Sequence, residues 1–322
     1  MKNVNIAILG LGTVGGGTYE ILSKMNRGII ENRTGIHFTL TKVLERDLSR
    51  LEALGIDPAI AVTDSDLITE ADDVDIVIES LGGIDFPADV MEKALLNGKS
   101  VVTPNKAAVA ANFDRLRNAA KASGAQFRFE ASVGGGIPAL TAIQEALSGN
   151  KFTEVMGIVN GTTNYILTKM GEEGWSYEDA LKDAQAKGFA EADPTSDVEG
   201  IDAANKLSIL MALCFDEYVH PSEITRKGIT EVSMADIEEA KQKGGKIKLI
   251  AGAKKRGAIL SYSVKPTFIP NEHPLSGVSN EFNAIYVTGN AVGEVMFYGK
   301  GAGALPTGSA VVGDIIAIAK TL

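Results

Sequence analysis

The 322-residue chain predicts an α/β protein in which a mostly parallel sheet with helices on both faces is followed by an α+β region. Three observations carry this expectation. Over the first ~130 residues strand-like and helix-like segments alternate, the pattern of a parallel sheet wound with helices. A G-x-G-x-x-G run, Gly10 to Gly15, falls between the first strand-like and the first helix-like segment. From Lys246 to Tyr298 short β-rich runs are separated by Gly, Pro and Asn, after a stretch from 150 to 245 in which helical patterns dominate.

Taken in order, Val4 to Leu9 is an unbroken apolar run of the kind that strands buried on both faces require. A helical stretch runs from Val14 to Met25, and Phe38 to Leu44 and Asp75 to Glu79 are further strands. Pro87 to Leu96 is helical, Ser100 to Thr103 is a short strand, Ala107 to Ala122 is an Ala-rich helix, and Gln126 to Glu130 closes the series. Pro194 and Gly200 break the chain, so a loop enters a helix near Gly200. No repeat, low-complexity tract or linker separates the domains, which predicts that they are closely joined.

Composition bounds the function. With 45% hydrophobic and 22% charged residues the chain has the make-up of an ordinary globular protein. Its length suits two domains of ~150 residues. One cysteine, Cys214, excludes an internal disulfide framework and fits a reducing, cytoplasmic setting. The apolar run ending at Leu9 is too short for the core of a secretory signal, and no apolar stretch approaches the ~20 residues that span a bilayer. A net charge of −10 argues against nucleic-acid partners, because phosphate affinity comes from Lys and Arg. Lys254-Lys255-Arg256 reads as a solvated loop.

The glycines at 10, 12 and 15 have distinct tasks: a tight turn, close approach of a pyrophosphate to the backbone, and packing of helix on strand. The N–H groups at the start of the helix then meet the phosphate charge. The motif therefore predicts a dinucleotide site. The second strand ends Glu45-Arg46-Asp47, which offers an acid for a ribose hydroxyl and an arginine for a 2′-phosphate, so NADP and NAD both stay open, with Arg46 tilting toward NADP. These residues lie further from the glycines than the usual ~20, which places an insertion between.

A second constellation is the acidic stretch from Gly188 to Lys206. Asp202 and Lys206 stand four apart on the predicted helix and share one face. At a surface such a pair is worth a few tenths of a kcal/mol. Here Ala203, Ala204, Leu207, Ile209, Leu210, Met211 and Leu213 surround it, and a helix apolar nearly all round is buried. A buried pair is costly to desolvate, which points to function.

With these motifs stand Thr103-Pro104-Asn105-Lys106-Ala107, Glu130 to Pro138, Gly157 to Tyr165 and Gly299 to Thr307. Together they make the chain resemble the homoserine dehydrogenase family over essentially its full length. The resemblance implies a Rossmann-type nucleotide-binding domain (1–130 with 305–322) plus an α+β catalytic and dimerisation domain (131–304). It implies a homodimer that interconverts L-aspartate 4-semialdehyde and L-homoserine with NADP or NAD, in threonine, methionine and isoleucine biosynthesis. In that reading Lys206 is the proton donor, Asp202 holds it and the substrate, and Lys106 lies near the nicotinamide and the reacting oxygen. Glu191, Asp197, Gly161 and Thr162 are substrate contacts, with Glu191 taking the amino group. Gly10, Leu11, Gly12, Thr13, Val14, Gly15, Arg46, Lys106, Gly188, Glu191 and Gly303 line the cofactor. Glu130, with backbone oxygens of Val133, Gly135 and Ile137, forms a monovalent cation site for sodium. Phe189 departs from the tyrosine of many members, which removes a hydroxyl contact. Many bacterial members continue into a C-terminal ACT-type regulatory domain; this chain stops at Leu322, so threonine feedback through such a domain is not expected.

The chemistry fits. Reducing an aldehyde needs hydride at carbon and a proton at oxygen, and a lysine with an ordinary pKa of ~10.4 is charged at neutral pH and able to donate. No covalent nucleophile is needed, so Cys214 in its apolar helix reads as a core residue. His37, His220 and His273 share no ligand spacing and read as structural. Two rival readings stand beside this one: a reductase of another substrate, and a non-catalytic NAD(P)-binding redox sensor.

Overall fold

Val4, Ile6, Ala7, Ile8 and Leu9 are all buried in β1 (Lys2–Leu9), as a strand covered on both faces requires. Around it the computed structural model, which describes residues 1–322, sets β2 (Ile36–Leu44), β3 (Ala61–Val62), β4 (Ile76–Glu79), β5 (Ser100–Val102) and β6 (Phe127–Arg128). All pair in parallel, in the order β3-β2-β1-β4-β5-β6. Strand order reverses at β1, and the crevice at the carboxyl ends of β1 and β4 is the place where open α/β sheets bind ligands.

The helices of this sheet are α1 (Thr13–Glu20), α2 (Arg27–Thr34), α3 (Leu48–Leu54), α4 (Asp66–Thr69), α5 (Asp85–Leu96), α6 (Lys106–Ala111) and α7 (Phe113–Ser123). A π-helical turn, Ile21–Met25, continues α1, so the expected helix from Val14 to Met25 changes its hydrogen-bonding midway. The insertion anticipated between the glycines and Glu45 is α2. The single helix expected over 107–122 is two helices, broken at Asn112, where the backbone leaves helical geometry (φ −126) and the side-chain amide donates to the Ala108 carbonyl (3.2 Å).

In the second compact unit the elements are β7 (Phe152–Ile158), α8 (Gly161–Glu173), α9 (Tyr177–Ala186), α10 (Thr195–Val198), α11 (Ile201–Phe215), α12 (Met234–Gln242), β8 (Gly245–Arg256), β9 (Ile259–Pro270), β10 (Phe282–Gly289) and β11 (Gly293–Lys300). The strands form one antiparallel sheet, β11-β10-β7-β8-β9. Lys254, Lys255 and Arg256 end the strand β8 and are not a loop; Lys254 pairs with Glu154 (3.0 Å) and Lys255 with Glu217 (2.5 Å), which offsets their charge. Lys248, in the same strand, is buried. Its ammonium donates to Val278 O (2.7 Å) and Asn164 Oδ1 (3.0 Å), and burial, with Lys246 nearby, pushes its pKa down to about 8.

The chain then forms α13 (Ala304–Ala319), which belongs to the first unit. That unit comprises Met1–Gly136 and Ala302–Leu322, and the second is Ile137–Gly301. Residues 131–136 stay with the first unit because they pack on α13: a Cβ on Gly136 would lie 3.0 Å from Pro306. The alternating side chains of β1 serve two cores. Val4, Ile6 and Ile8 pack with Val311, Val312, Ile315 and Ile318 of α13, while Ala7 and Leu9 pack with Val90, Met91 and Leu116 of α5 and α7. No helix is long and apolar enough to cross a membrane.

Candidate active site

The glycine turn follows directly from β1. Gly10 sits at φ +88, a left-handed conformation that costs glycine little. A Cβ on Gly15 would lie 2.1 Å from the Gly10 carbonyl, so only glycine lets α1 pack on the strand there. A Cβ on Gly12 would meet nothing within 4 Å, which leaves room over the backbone for a pyrophosphate. Gly12 caps α1 without a side-chain hydrogen bond, so Thr13, Val14 and Gly15 open the helix with their N–H groups aimed outward. Glu45 Oε2 accepts the Leu11 N–H (3.0 Å), and Oε1 accepts the N–H groups of Arg46 (3.0 Å) and Asp47 (3.1 Å). Burial opposes ionisation of Glu45, but these backbone donors and Arg50 hold its carboxyl below the usual range. Arg46 beside it is exposed.

Lys106 is the first residue of α6, in the same unit and half-buried. Its turn is pinned from below. Thr103 Oγ1 donates to the buried Glu79, whose carboxyl burial pushes up, and accepts the Asn105 N–H (2.9 Å). Asn105 in turn caps α6 at Ala108 N (3.1 Å) and donates to Gly83 O (3.0 Å).

In the second unit the acidic stretch becomes a built cluster. Gly200, at φ +76, turns the chain into α11, and a Cβ there would lie 3.0 Å from Val264. Within α11, Lys206 Nζ donates to Asp202 Oδ2 one turn back (2.7 Å) and to Val159 O (2.6 Å). Asp202 is 4% exposed and Lys206 7%, so the pair is an interior one with little water to screen it. Asn160 Nδ2 donates to Asp202 Oδ2 (2.9 Å) and to Asp197 Oδ1 (2.7 Å). Burial, with the Asp202 charge, holds the Asp197 carboxyl above the usual range. The Thr162 hydroxyl lies 3.3 Å from Asp197 Oδ2 and donates to Phe189 O (2.5 Å). Phe189 packs its ring on Tyr165 (centroids 5.1 Å apart).

Of the residues picked from sequence, Thr162, Asp197, Asp202 and Lys206 are thus drawn into one hydrogen-bonded cluster at the start of α8, beside Gly161. Glu191 is exposed, with its main-chain oxygen bound by the Gln185 amide (3.0 Å). Gly188 follows α9 in the second unit, and Gly303 caps α13 in the first. Glu130 is buried, and its N–H donates to Asp314 of α13 (2.8 Å); Val133, Gly135 and Ile137 are buried after it. The residue missed is Asn160, the N-cap of α8. An asparagine just before a helix is a visible capping signal, but its two acid partners are 37 and 42 residues away.

The remaining candidates are structural. His37 bonds Glu31 (2.6 Å), and His220 and His273 accept the N–H groups of Ser222 (3.2 Å) and Leu275 (3.1 Å). Cys214 is buried, and burial pushes its thiol up to about 12, which leaves no thiolate at neutral pH.

A parallel sheet with this glycine turn, joined to a unit that buries an acid-held lysine, defines a nicotinamide-dependent oxidoreductase. The homoserine dehydrogenase NAD-binding domain profile matches residues 10–130, and the homoserine dehydrogenase domain profile matches residues 138–316. The chain belongs to the homoserine dehydrogenase family of NAD(P)-dependent oxidoreductases. It is 45% identical over 322 residues to the homoserine dehydrogenase of Bacillus subtilis, covering 100% of this chain and 74% of that protein. The crystal structure of a homoserine dehydrogenase from Thiobacillus denitrificans superposes with a TM-score of 0.94 at 39% identity, over 99% of this chain and 74% of that one. A hyperthermophilic archaeal homoserine dehydrogenase in complex with NADPH gives a TM-score of 0.84 at 31% identity, over 99% of this chain and 98% of that one.

Proposed function

We propose that the chain reduces L-aspartate 4-semialdehyde to L-homoserine, with Lys206 giving the proton to the reacting oxygen. The observation that carries this is the buried Lys206 ammonium, clasped by Asp202 and the Val159 carbonyl. The reduced nicotinamide supplies a hydride when bound. As negative charge develops on the aldehyde oxygen, the Lys206 ammonium would protonate it and be left as a neutral lysine. Asp202 holds the ammonium in position for that transfer. In reverse a neutral Lys206 must take the hydroxyl proton, so alkaline pH favours oxidation of homoserine. Lys106 adds a second positive charge at the developing alkoxide. Glu191 and Asp197 present carboxylates to the substrate ammonium, and the first turn of α8 at Gly161 and Thr162 presents N–H donors to its carboxylate. The activity places the chain in the cytoplasmic biosynthesis of threonine, methionine and isoleucine.

Gly10 to Gly15 hold the pyrophosphate, with Gly188, Glu191 and Gly303 as further cofactor contacts. The exposed guanidinium of Arg46 could meet a 2′-phosphate, which tilts the choice toward NADP(H), while the Glu45 carboxylate could still accept a ribose hydroxyl as NAD(H) requires. Glu130 with the carbonyls of Val133, Gly135 and Ile137 offers only hard oxygens in a buried segment, the set that suits sodium. We assign the homodimer contact to the antiparallel sheet, where Ile259 and Phe268 of β9 and Met296 and Tyr298 of β11 are exposed. A solution mass equal to one chain would overturn that assignment.

Purified protein given aspartate 4-semialdehyde with NADPH or NADH should oxidise the reduced cofactor, read as falling absorbance. No turnover with either would overturn this substrate assignment, and other carbonyls would then be tested. Arg46→Ala should lower kcat/KM for NADPH by roughly tenfold, about the worth of one charge-assisted contact, and leave NADH nearly unchanged. Equal losses would remove Arg46 from the phosphate. A rate that does not fall when sodium is replaced by a bulky organic cation would remove the cation from the active form.

A further inference from the structure

We propose that Asn160 is a positioning residue for the reduction: its one side-chain amide ties Asp197 to Asp202 and so fixes the frame in which Lys206 meets the substrate oxygen. The inference rests on the active-site reading given above. Asn160 is 6% exposed, and every polar atom of its side chain is used. The Thr163 N–H can only donate, so it must face Oδ1 (2.9 Å), which turns the NH2 group toward the two acids. A carboxamide has two N–H donors, and here each goes to a different carboxylate, at 2.7 and 2.9 Å. Asp202 Oδ2 therefore receives both Asn160 and Lys206, and rotating that carboxylate would break both bonds.

Capping α8 does not by itself require this residue. Serine caps a helix about as well as asparagine, but its hydroxyl has one donor and cannot bridge two acids. The bridge has electrostatic work to do. Asp197 and Asp202 share one donor nitrogen and so crowd two negative charges together. Burial and the Asp202 charge disfavour ionised Asp197, while the Asn160 hydrogen bond and Lys206 favour it. Asp202 and Lys206 on α11 are the charged groups acting on Asp197; the first turn of α8, Gly161-Thr162-Thr163, brings none.

The test is the pH profile of kcat/KM in Asn160→Ser and Asn160→Asp, with thermal unfolding and NADPH affinity measured alongside. Losing the donor raises the Asp197 pKa, so the activity lost on acidification should set in at higher pH, by about one unit, in Asn160→Ser. Its kcat/KM should fall by roughly tenfold or more at neutral pH with NADPH affinity unchanged, and unfolding should come a little earlier, because the cap survives but two buried carboxylates each lose a donor. Asn160→Asp keeps the cap and the shape but adds a third carboxylate, so its acid limb should move further the same way. An Asn160→Ser protein with the wild-type profile overturns the proposal, as does one that loses activity equally at every pH, since that marks a general loss of structure and not a bridge between the two acids. Lys206→Ala separates the two levels. If it stays active, the reading of the whole site has failed; if it is inactive while Asn160→Ser matches wild type, only the role of Asn160 has failed.

Discussion

Lys206→Ala is expected to slow turnover by ~100- to 10,000-fold, the usual worth of a positioned general acid, while NADPH affinity stays close to wild type. The ammonium is bound by Asp202 and Val159, both in the unit that carries the acidic cluster, and the glycine turn belongs to the other unit. The substitution also leaves the Asp202 carboxylate buried without its ammonium, and breaking a buried pair in this way costs about 3–5 kcal/mol. Unfolding must therefore be followed beside the kinetics, and Lys206→Met, which refills the volume, serves as the companion variant. Parallel losses of turnover and NADPH affinity in both variants would indicate a damaged fold and defeat the assignment. Asp202→Asn should be milder, because the amide oxygen still accepts from Lys206 and the Val159 carbonyl keeps its bond.

The second large effect separates two glycines of the nucleotide turn. In Gly15→Ala the new methyl would stand 2.1 Å from the Gly10 carbonyl, a backbone atom that cannot swing aside. Helix and strand must part, so both the unfolding temperature and NADPH affinity should drop, with a destabilisation of about 1–3 kcal/mol or more. Gly12→Ala meets no protein atom within 4 Å and keeps an ordinary backbone conformation (φ −67), so the fold should be untouched. Its methyl instead occupies the space a pyrophosphate needs, and NADPH affinity should fall by at least roughly tenfold. Titration of NADPH fluorescence against each variant, with a melting curve, reads both quantities. Unchanged affinity in Gly12→Ala would mean that the phosphate does not lie over this turn.

What could be read from sequence was what is local. β1, β4 and β5 announce themselves because doubly covered strands are continuous apolar runs, and the glycine turn carries its geometry in its spacing. The Asp202–Lys206 pair is legible for the same reason, since four residues is one helical turn. β3 has two residues and no pattern to detect. β7 was hidden because Thr153, Glu154 and Gly157 interrupt its apolar residues, although it is the central strand of its sheet. Lys248 sits among Ile247, Leu249 and Ile250 with nothing to tell that its ammonium is interior. Its partners Asn164 and Val278 are 84 and 30 residues away. Asn160 is the sharper case: the capping role is written beside it, and the bridging role exists only once α8, α10 and α11 have met.

The path of the chain also sets an order of events during synthesis. The acidic-cluster unit is one uninterrupted segment, Ile137–Gly301, whereas the nucleotide unit is closed by α13, made after that segment. Until Val311, Val312, Ile315 and Ile318 emerge, one face of the parallel sheet presents Val4, Ile6 and Ile8 without their covering helix. The unit translated in the middle can thus reach its native state on the ribosome before the one translated first, and the early sheet spends that interval as the aggregation-prone part of the nascent protein.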